Sequence, residues 1–380
     1  MGFPWALQLV VLSCMAEAVF VVWAWRYSRL LAARRARGET VDAAIELRQA
    51  RWKSVTASMV RYAFLIAINV AGLRSGASLV VQSFMLFLGL AIVHGQVRFA
   101  VEREVRGIEA TQFDAFRLAT RMVIITLAIY VVYFSVFTGV HLLAMLLTGK
   151  EAGWAAIPIG LFAALFVTYL ASPILVRMMF PCKRIDDPAL IETLRRCFER
   201  ASLPVPTFWA LELDKHRAHN AMVAGLRSGR GILKPALFLS SSLVRELTPE
   251  EFEAVILHEV SHVQLNHMRG RMIAALASVC LSVAPIWMLG ALGPYLLAPP
   301  QFAILLLGSY VLAFFVQYSA MRWTVQLQEL EADSHAVIRL GADPDAFSRA
   351  LTKLMRMNEQ LDDRKDPSSY LSAAAAHPTA

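Results

Sequence analysis

The sequence predicts a mainly α-helical, seven-span polytopic membrane protein with a small α+β portion at the cytoplasmic face. Three observations carry that expectation. The 380 residues are 57% apolar and only 17% charged, with a mean hydropathy of +0.52. An ordinary soluble domain carries about 25% charged residues, so too few charges remain here to coat a water-soluble globule. The apolar residues gather in blocks close to the roughly 20 residues that a bilayer-crossing helix needs. Basic residues flank those blocks, so the formal charge of +8 reads as topology; a nucleic-acid surface would line one helix face or an aromatic-studded strand. Disorder is excluded as well, because a disordered chain is poor in apolar residues.

The first block runs from about Phe3 to Trp25 and ends in an Arg-rich stretch. A cleaved leader would open basic and close on small residues, so this block is expected to be a retained anchor. The second, near Val55 to Leu73, contains Arg61, and the third spans Ala77 to Val97 after the turn-like Arg74-Ser75-Gly76, so the two are expected to form a hairpin. The fourth, Met122 to Thr148, holds no charged residue. The fifth, Trp154 to Val176, contains Pro158 and Pro173, which membrane helices tolerate. From Met272 to Met321 there is no Asp, Glu, Lys or Arg, and Gly293-Pro294 with Pro299-Pro300 divide that stretch into the sixth and seventh spans.

Positive charge marks the cytoplasmic side. Arg26 through Arg61 holds nine Lys or Arg against three acidic residues, and Arg98 through Arg121 holds five. These loops are placed inside, which puts the N-terminus outside. The expected organisation is an N-terminal membrane region over residues 1–178, a cytoplasmic segment over 179–271, a transmembrane hairpin over 272–321 and a C-terminal segment over 322–380. A site built from both cytoplasmic segments would sit at the membrane face. The four cysteines, Cys14, Cys182, Cys197 and Cys280, form no CxxC pair and read as structural thiols.

Within the cytoplasmic segment, Asp187-Pro188 starts a helix through Ala201 by an Asp N-cap and a proline at N1. Thr207 to Leu213, Asn220 to Ala224 and Ile232 to Leu239 alternate enough to predict short strands. Thr248-Pro249-Glu250-Glu251 places a hydroxyl at N-cap, a proline at N1 and a carboxylate at N3, the signature of a capping box that opens a further helix. On that helix lies His258-Glu259-Val260-Ser261-His262. The four-residue spacing puts both imidazoles on one helical face, a geometry suited to one zinc ion. Glu259 projects beside the pair, where it can serve as general base toward water. A chance match to HExxH arises on the order of one time in a hundred for such a chain, and the capped helix and a suitable downstream carboxylate weigh against chance.

Hydrolytic zinc sites use three protein ligands. Downstream, Glu329 and Asp333 lie four apart on the expected seventh helix; Glu329 can ligate, and Asp333 can accept the second ring N–H of a ligating histidine. Glu331 is rotated roughly 200° from Glu329 and is expected to face solvent. His267 and His335 are out of helical phase with their neighbouring ligands, which leaves outer-shell or surface roles. Glu17 is an ionisable group inside the first span, a functional hypothesis by default, although an interhelical hydrogen bond accounts for it more simply. His94 and His141 lie near span ends and read as ordinary polar residues.

The stretches AHNAMVAG, LTPEEFEAVILHEVSHVQLNH and ELEADSHAVIRLGADP resemble the membrane zinc metallopeptidases that include the type I CAAX prenyl protease and the heat-shock protease HtpX. Seven spans, five before HExxH and two after, look more like the CAAX prenyl protease branch. The resemblance implies a zincin-like catalytic portion with His258, His262 and Glu329 as zinc ligands, Glu259 as base and Asp333 orienting a histidine. It also implies that Asn220 and Ala221 lie on an edge strand that pairs with the substrate backbone. His377 of His377-Pro378 would stand near the scissile carbonyl as an oxyanion donor; the family's following arginine is not included in a sequence ending at Ala380.

The resulting expectation is an integral membrane zinc metalloendopeptidase, CAAX prenyl protease-like, acting on peptides or proteins that are membrane-embedded or lipidated. A bacterial inner membrane is expected from the preference for Arg over Lys, 30 to 7. The alternatives are a membrane-protein quality-control protease of the heat-shock type and a zincin-type signal receptor, the latter requiring an outer sensor domain. An idle scaffold would have lost Glu259 or a ligand.

Overall fold

A computed structural model describes residues 4–39, 46, 49–50, 52–54, 56–57, 77–148, 156–216, 219–225, 234–278, 281 and 299–357. Most of the expected second span, much of the sixth, the charged tail from Asp362 to Asp366 and His377 lie outside those residues. The described chain is mainly helical with one small mixed sheet. It divides into two units, Met1–Thr120 with Leu292–Gly308, and Arg121–Ala291 with Ser309–Ala380.

In the first unit, α1 (Pro4–Ala36) and α2 (Ala77–Arg106) pack together through a spaced apolar stripe. Phe20, Ala24 and Leu31 of α1 meet Val101 and Val105 of α2, with Ala50 completing the cluster. Glu17 falls on the same stripe, three residues before Phe20, and is buried. Its Oε1 lies 2.8 Å from His94 Nδ1, and His94 Nε2 lies 2.7 Å from Ser54 Oγ. Phe20 stacks on the His94 ring at 4.2 Å. His94 is thus no ordinary polar residue at a helix end; it links two buried oxygens, and Glu17 makes the interhelical hydrogen bond that its position allowed. α3 (Gln112–Thr148) follows, opened by a reciprocal cap in which Thr111 N donates to Asp114 Oδ2 and Asp114 N to Thr111 Oγ1.

The second unit takes the chain through α4 (Ala156–Leu170) and α5 (Ser172–Met179). The fifth apolar block does not form one straight helix. It bends by 62° between these two pieces, where Pro173 supplies no backbone N–H and crowds the preceding turn. Among the described residues no single helix is long and apolar enough to cross a membrane; this bent pair passes the same criterion of length and composition.

Beyond α5 come β1 (Cys182–Arg184), α6 (Pro188–Arg200), β2 (Thr207–Leu211), β3 (Ala221–Ala224) and β4 (Ala236–Ser240). The sheet order is β1-β2-β4-β3, with β2 and β4 parallel at the centre and the two outer strands antiparallel to them. β4 is buried along its whole length, as a strand covered on both faces must be. Its alternation sorts two cores: Leu237 and Leu239 join the large cluster with α6, whereas Ala236 and Phe238 join a smaller one with Val176 and Phe180.

After α7 (Ser241–Glu246), α8 (Pro249–Gln264) opens on the expected capping box. Thr248 Oγ1 accepts from Glu251 N, and Glu251 Oε2 accepts from Thr248 N. α8 also carries a core face: Phe252, Val255, Ile256, Leu257 and Val260 are buried in one cluster with residues of α6 and the sheet. Each such apolar side chain contributes about 1.5–3 kcal/mol on burial, which fixes the rotation of the helix and so the direction of its histidines. α9 (Pro299–Ile338) brings Ala336 into the same core, and α10 (Pro344–Met357) packs on α8 through Ala350 and Leu354.

Candidate metal centre

His258 is held almost completely inside the protein, with Glu259 buried beside it on α8. One turn on, His262 turns the edge of its ring toward His258, centroid to centroid 4.7 Å. The Nε2 atoms of the two rings are 3.1 Å apart, and each lies 3.4 Å from Glu329 Oε2 on α9. Two donors bonded at 2.0–2.1 Å to a tetrahedral ion stand about 3.3–3.4 Å apart. The triangle therefore has the edge lengths that a divalent ion of this geometry requires, and its donor set, two imidazoles and a carboxylate, is one that such an ion takes. His258, His262 and Glu329 are also the described His, Cys, Asp and Glu residues whose ligand atoms gather closely enough to hold a metal.

The surrounding contacts orient these donors. His258 Nδ1 is 2.8 Å from Asp333 Oδ1, so the ring donates its Nδ1 proton to the carboxylate and turns its Nε2 lone pair toward the triangle. Phe347 of α10 stacks against the far face of His258 at 5.8 Å. Arg271 Nη2 donates to Glu329 Oε1 at 3.2 Å while its Nε donates to Gln328 Oε1 at 2.7 Å. The guanidinium thus occupies one carboxylate oxygen of Glu329, and the other faces the imidazoles. His335 stands further out, with Nδ1 3.3 Å from Ser261 Oγ.

Burial alone would lower the pKa of His258, but the hydrogen-bonding carboxylates of Asp333 and Glu329, with the charge of Glu259, outweigh it and raise it to about 10. Burial pushes the Glu259 carboxyl up, opposed by His258 and His262. A raised pKa brings a general base nearer to neutral pH, where it is most effective.

His267, for which the sequence leaves an outer-shell or surface role, takes the outer-shell place, in contact with both His262 and Glu331. His267 is buried, its Nδ1 2.7 Å from His262 Nδ1 and its Nε2 3.2 Å from Glu331 Oε2. The Glu331 side chain is 60% exposed, so it faces solvent as expected, yet it still reaches inward to this ring. Burial and the neighbouring His262 hold the His267 pKa down, at about 4. Asn220 lies just before β3, its backbone O accepting from Ser240 N at 2.8 Å. Its Oδ1 is buried and has no hydrogen-bond partner among the described residues. Ala221 is the first residue of β3, the strand at the end of the sheet order.

Residues 184–380 match the sequence profile described as Peptidase family M48. The chain belongs to peptidase family M48. It is accordingly a metallopeptidase. Among curated relatives, a protein named "Protease HtpX homolog" from Syntrophobacter fumaroxidans is 28% identical over 204 residues, covering 52% of this chain and 67% of the relative. One of the same name from Sulfurovum sp. is 27% identical over 229 residues, covering 58% and 79%. One from Thermodesulfovibrio yellowstonii is 26% identical over 161 residues, covering 42% and 52%. Among solved structures, the crystal structure of S. mikatae Ste24p aligns with a TM-score of 0.55 at 16% identity, covering 97% of this chain and 95% of the other. At that identity the likeness concerns the fold. Within the M48 match fall the three candidate ligands, Glu259 and Asp333.

Proposed function

We propose that this M48 peptidase is an integral membrane zinc endopeptidase that hydrolyses peptide bonds of membrane-associated or lipidated substrates, in the manner of a CAAX prenyl protease. The observation that carries the reading is the triangle of His258 Nε2, His262 Nε2 and Glu329 Oε2 with edges of 3.1–3.4 Å and Glu259 buried next to it. Bound at these three donors, one zinc ion would supply Lewis acidity toward the scissile carbonyl and make water a stronger acid. Glu259 takes a proton from the attacking water and returns it to the leaving amine. Asp333 keeps His258 in the tautomer that ligates, and Arg271 keeps one oxygen of Glu329 turned toward the imidazoles.

Asn220 and Ala221 are assigned to substrate. In the antiparallel pair of β3 and β4, Asn220 bonds with Ser240, and pairing alternates along the ladder. The backbone groups of Ala221 and Val223 therefore turn outward, and among the described residues no strand pairs with that side. An extended peptide adding there would gain main-chain hydrogen bonds, with Asn220 at the start of the strand. His377 is assigned as oxyanion donor by the family resemblance alone.

The membrane assignment rests on composition and on the spacing of the apolar blocks. In this reading five spans occupy residues 1–178 and two occupy 272–321, while 179–271 and 322–380 share the cytoplasmic face of a bacterial inner membrane. The name carried by the curated relatives favours a second reading, quality control of membrane proteins in the heat-shock manner.

The test is metal analysis with peptide cleavage in detergent for wild type and Glu259→Gln. The expected result is one zinc per chain in both and cleavage by wild type alone; equal cleavage by both removes Glu259 from its role. Comparing prenylated with unmodified peptides of one sequence separates the two readings, since the first requires a preference for the lipidated form.

A further inference from the structure

The contact between His262 and His267 is a direct one between two imidazoles, a pairing that needs one donor and one acceptor. Nδ1 faces Nδ1 at 2.7 Å, inside hydrogen-bond range. The opposite nitrogen of His267, Nε2, lies 3.2 Å from the Glu331 carboxylate, which can only accept. That end of the ring is therefore the N–H end, and a neutral imidazole then has its lone pair at Nδ1. His262 must supply the proton between the rings. With its proton at Nδ1, His262 has its lone pair at Nε2, the atom 3.4 Å from Glu329 Oε2 and 3.1 Å from His258 Nε2.

We propose that His267 is the positioning residue for His262, accepting its Nδ1 proton and thereby turning Nε2 into the ligand atom, with Glu331 fixing the tautomer of His267. The inference rests on the zinc reading above and adds two residues to it. The two ligating histidines are then oriented by different means: His258 by the carboxylate of Asp333 directly, and His262 by a carboxylate acting through a second imidazole. The local chain is built for this. α8 stops at Gln264, Asn266 takes a left-handed turn at φ 56, and a helical stretch resumes at residue 267, which brings the His267 ring back against His262. Gln328 Nε2 donates to the His267 backbone O at 2.9 Å, tying this turn to the same part of α9 that carries Glu329 and Glu331.

The experiment measures zinc affinity of the full chain in detergent by competition with a chromophoric chelator, together with the absorption spectrum of the cobalt(II)-substituted protein. His267→Phe keeps the ring volume but offers no acceptor; the expected result is zinc binding weakened about 10–100-fold, the usual cost of losing an outer-shell partner, with altered cobalt bands. His267→Asn offers an amide oxygen near the position of Nδ1 and is expected to restore most of the affinity. Glu331→Ala, at an exposed position that leaves the core intact, is expected to weaken zinc severalfold while Glu331→Gln, which still accepts from Nε2, does not. Should His267→Phe fail to fold, the Glu331 pair decides. Unchanged affinity and cobalt spectrum in the variants lacking the acceptor would overturn the inference while leaving the peptidase reading intact. Tight zinc without peptide cleavage by wild type would instead count against the peptidase reading and leave this one standing.

Discussion

Gly225 closes β3 with a backbone φ of +100, a region in which side chains other than glycine are strained. A Cβ at this position would stand 2.7 Å from Pro173 Cγ and 3.2 Å from the backbone Cα of Pro235. Neither neighbour is the free end of a flexible side chain, so the clash cannot be relieved by a rotamer change. Its carbonyl also accepts from the Tyr169 hydroxyl at 3.1 Å, which ties the strand end to α4. For Gly225→Ala, backbone strain costs about 1–3 kcal/mol and overpacking a further 1–3 kcal/mol; a loss of about 3 kcal/mol is expected. For a unit of this size each kcal/mol corresponds to roughly 2–4 °C, so thermal unfolding in detergent should begin about 6–12 °C earlier. Because β3 is the proposed substrate strand, KM should rise more than kcat falls, and the zinc content should not change. An alanine variant that melts with wild type and keeps its KM would refute both the strain and the placement of substrate on β3.

The other expectations follow from single side chains. Burial, with some help from Glu253, raises the Cys197 thiol to about 11 from an ordinary value of 9.0. The folded state thus holds this proton more tightly than the unfolded chain, so its contribution is complete below pH 9 and is lost as pH rises toward 11. About 2 kcal/mol should be gone by pH 10.5, seen as a difference in denaturant midpoints that Cys197→Ala does not show. Thr248→Ala removes the oxygen that accepts from Glu251 N and should cost about 1 kcal/mol by the same assay, with cleavage retained. His94→Leu breaks both hydrogen bonds that join Glu17 to Ser54 and should cost about 2–4 kcal/mol, read as earlier melting, whereas Glu17→Gln, which keeps an acceptor, should cost less.

The elements legible in advance were those with local chemistry. Asp187 caps α6 through Ala189 N, and the Thr248-Glu251 box starts α8 where the sequence placed it, because such caps are satisfied within three residues. Both histidines of HExxH and the pair Glu329 and Asp333 come together as their helical spacing required. The specific contacts of these outer residues depend on where a helix stops. The phase of α8 leaves His267 an outer-shell or surface role, and its contact with His262 arises because the helix ends at Gln264 and Asn266 takes a left-handed turn before helix resumes at residue 267. Leu265-Asn266 carried that signal, since asparagine is among the few residues that tolerate the left-handed turn past a helix end. Glu331 faces solvent as its helix position predicts, and its long side chain also reaches the His267 ring. β1, three residues long and mostly exposed, has too little alternation to be read from sequence, and the bend at Pro173 was a tolerated proline in the linear pattern.

The proposed landing strip for substrate is only four residues long, Ala221–Ala224, and just two of them turn their backbone outward. Two residues' worth of contact cannot spell out a long recognition word. It can, however, reject any stretch that is still wound into a coil, because a peptide must be straightened before its amides line up. Selection along this strand would then act on a peptide's readiness to unwind more than on its letters. A frayed terminus or a protein that has lost its packing would qualify by shape, and an intact one would be spared.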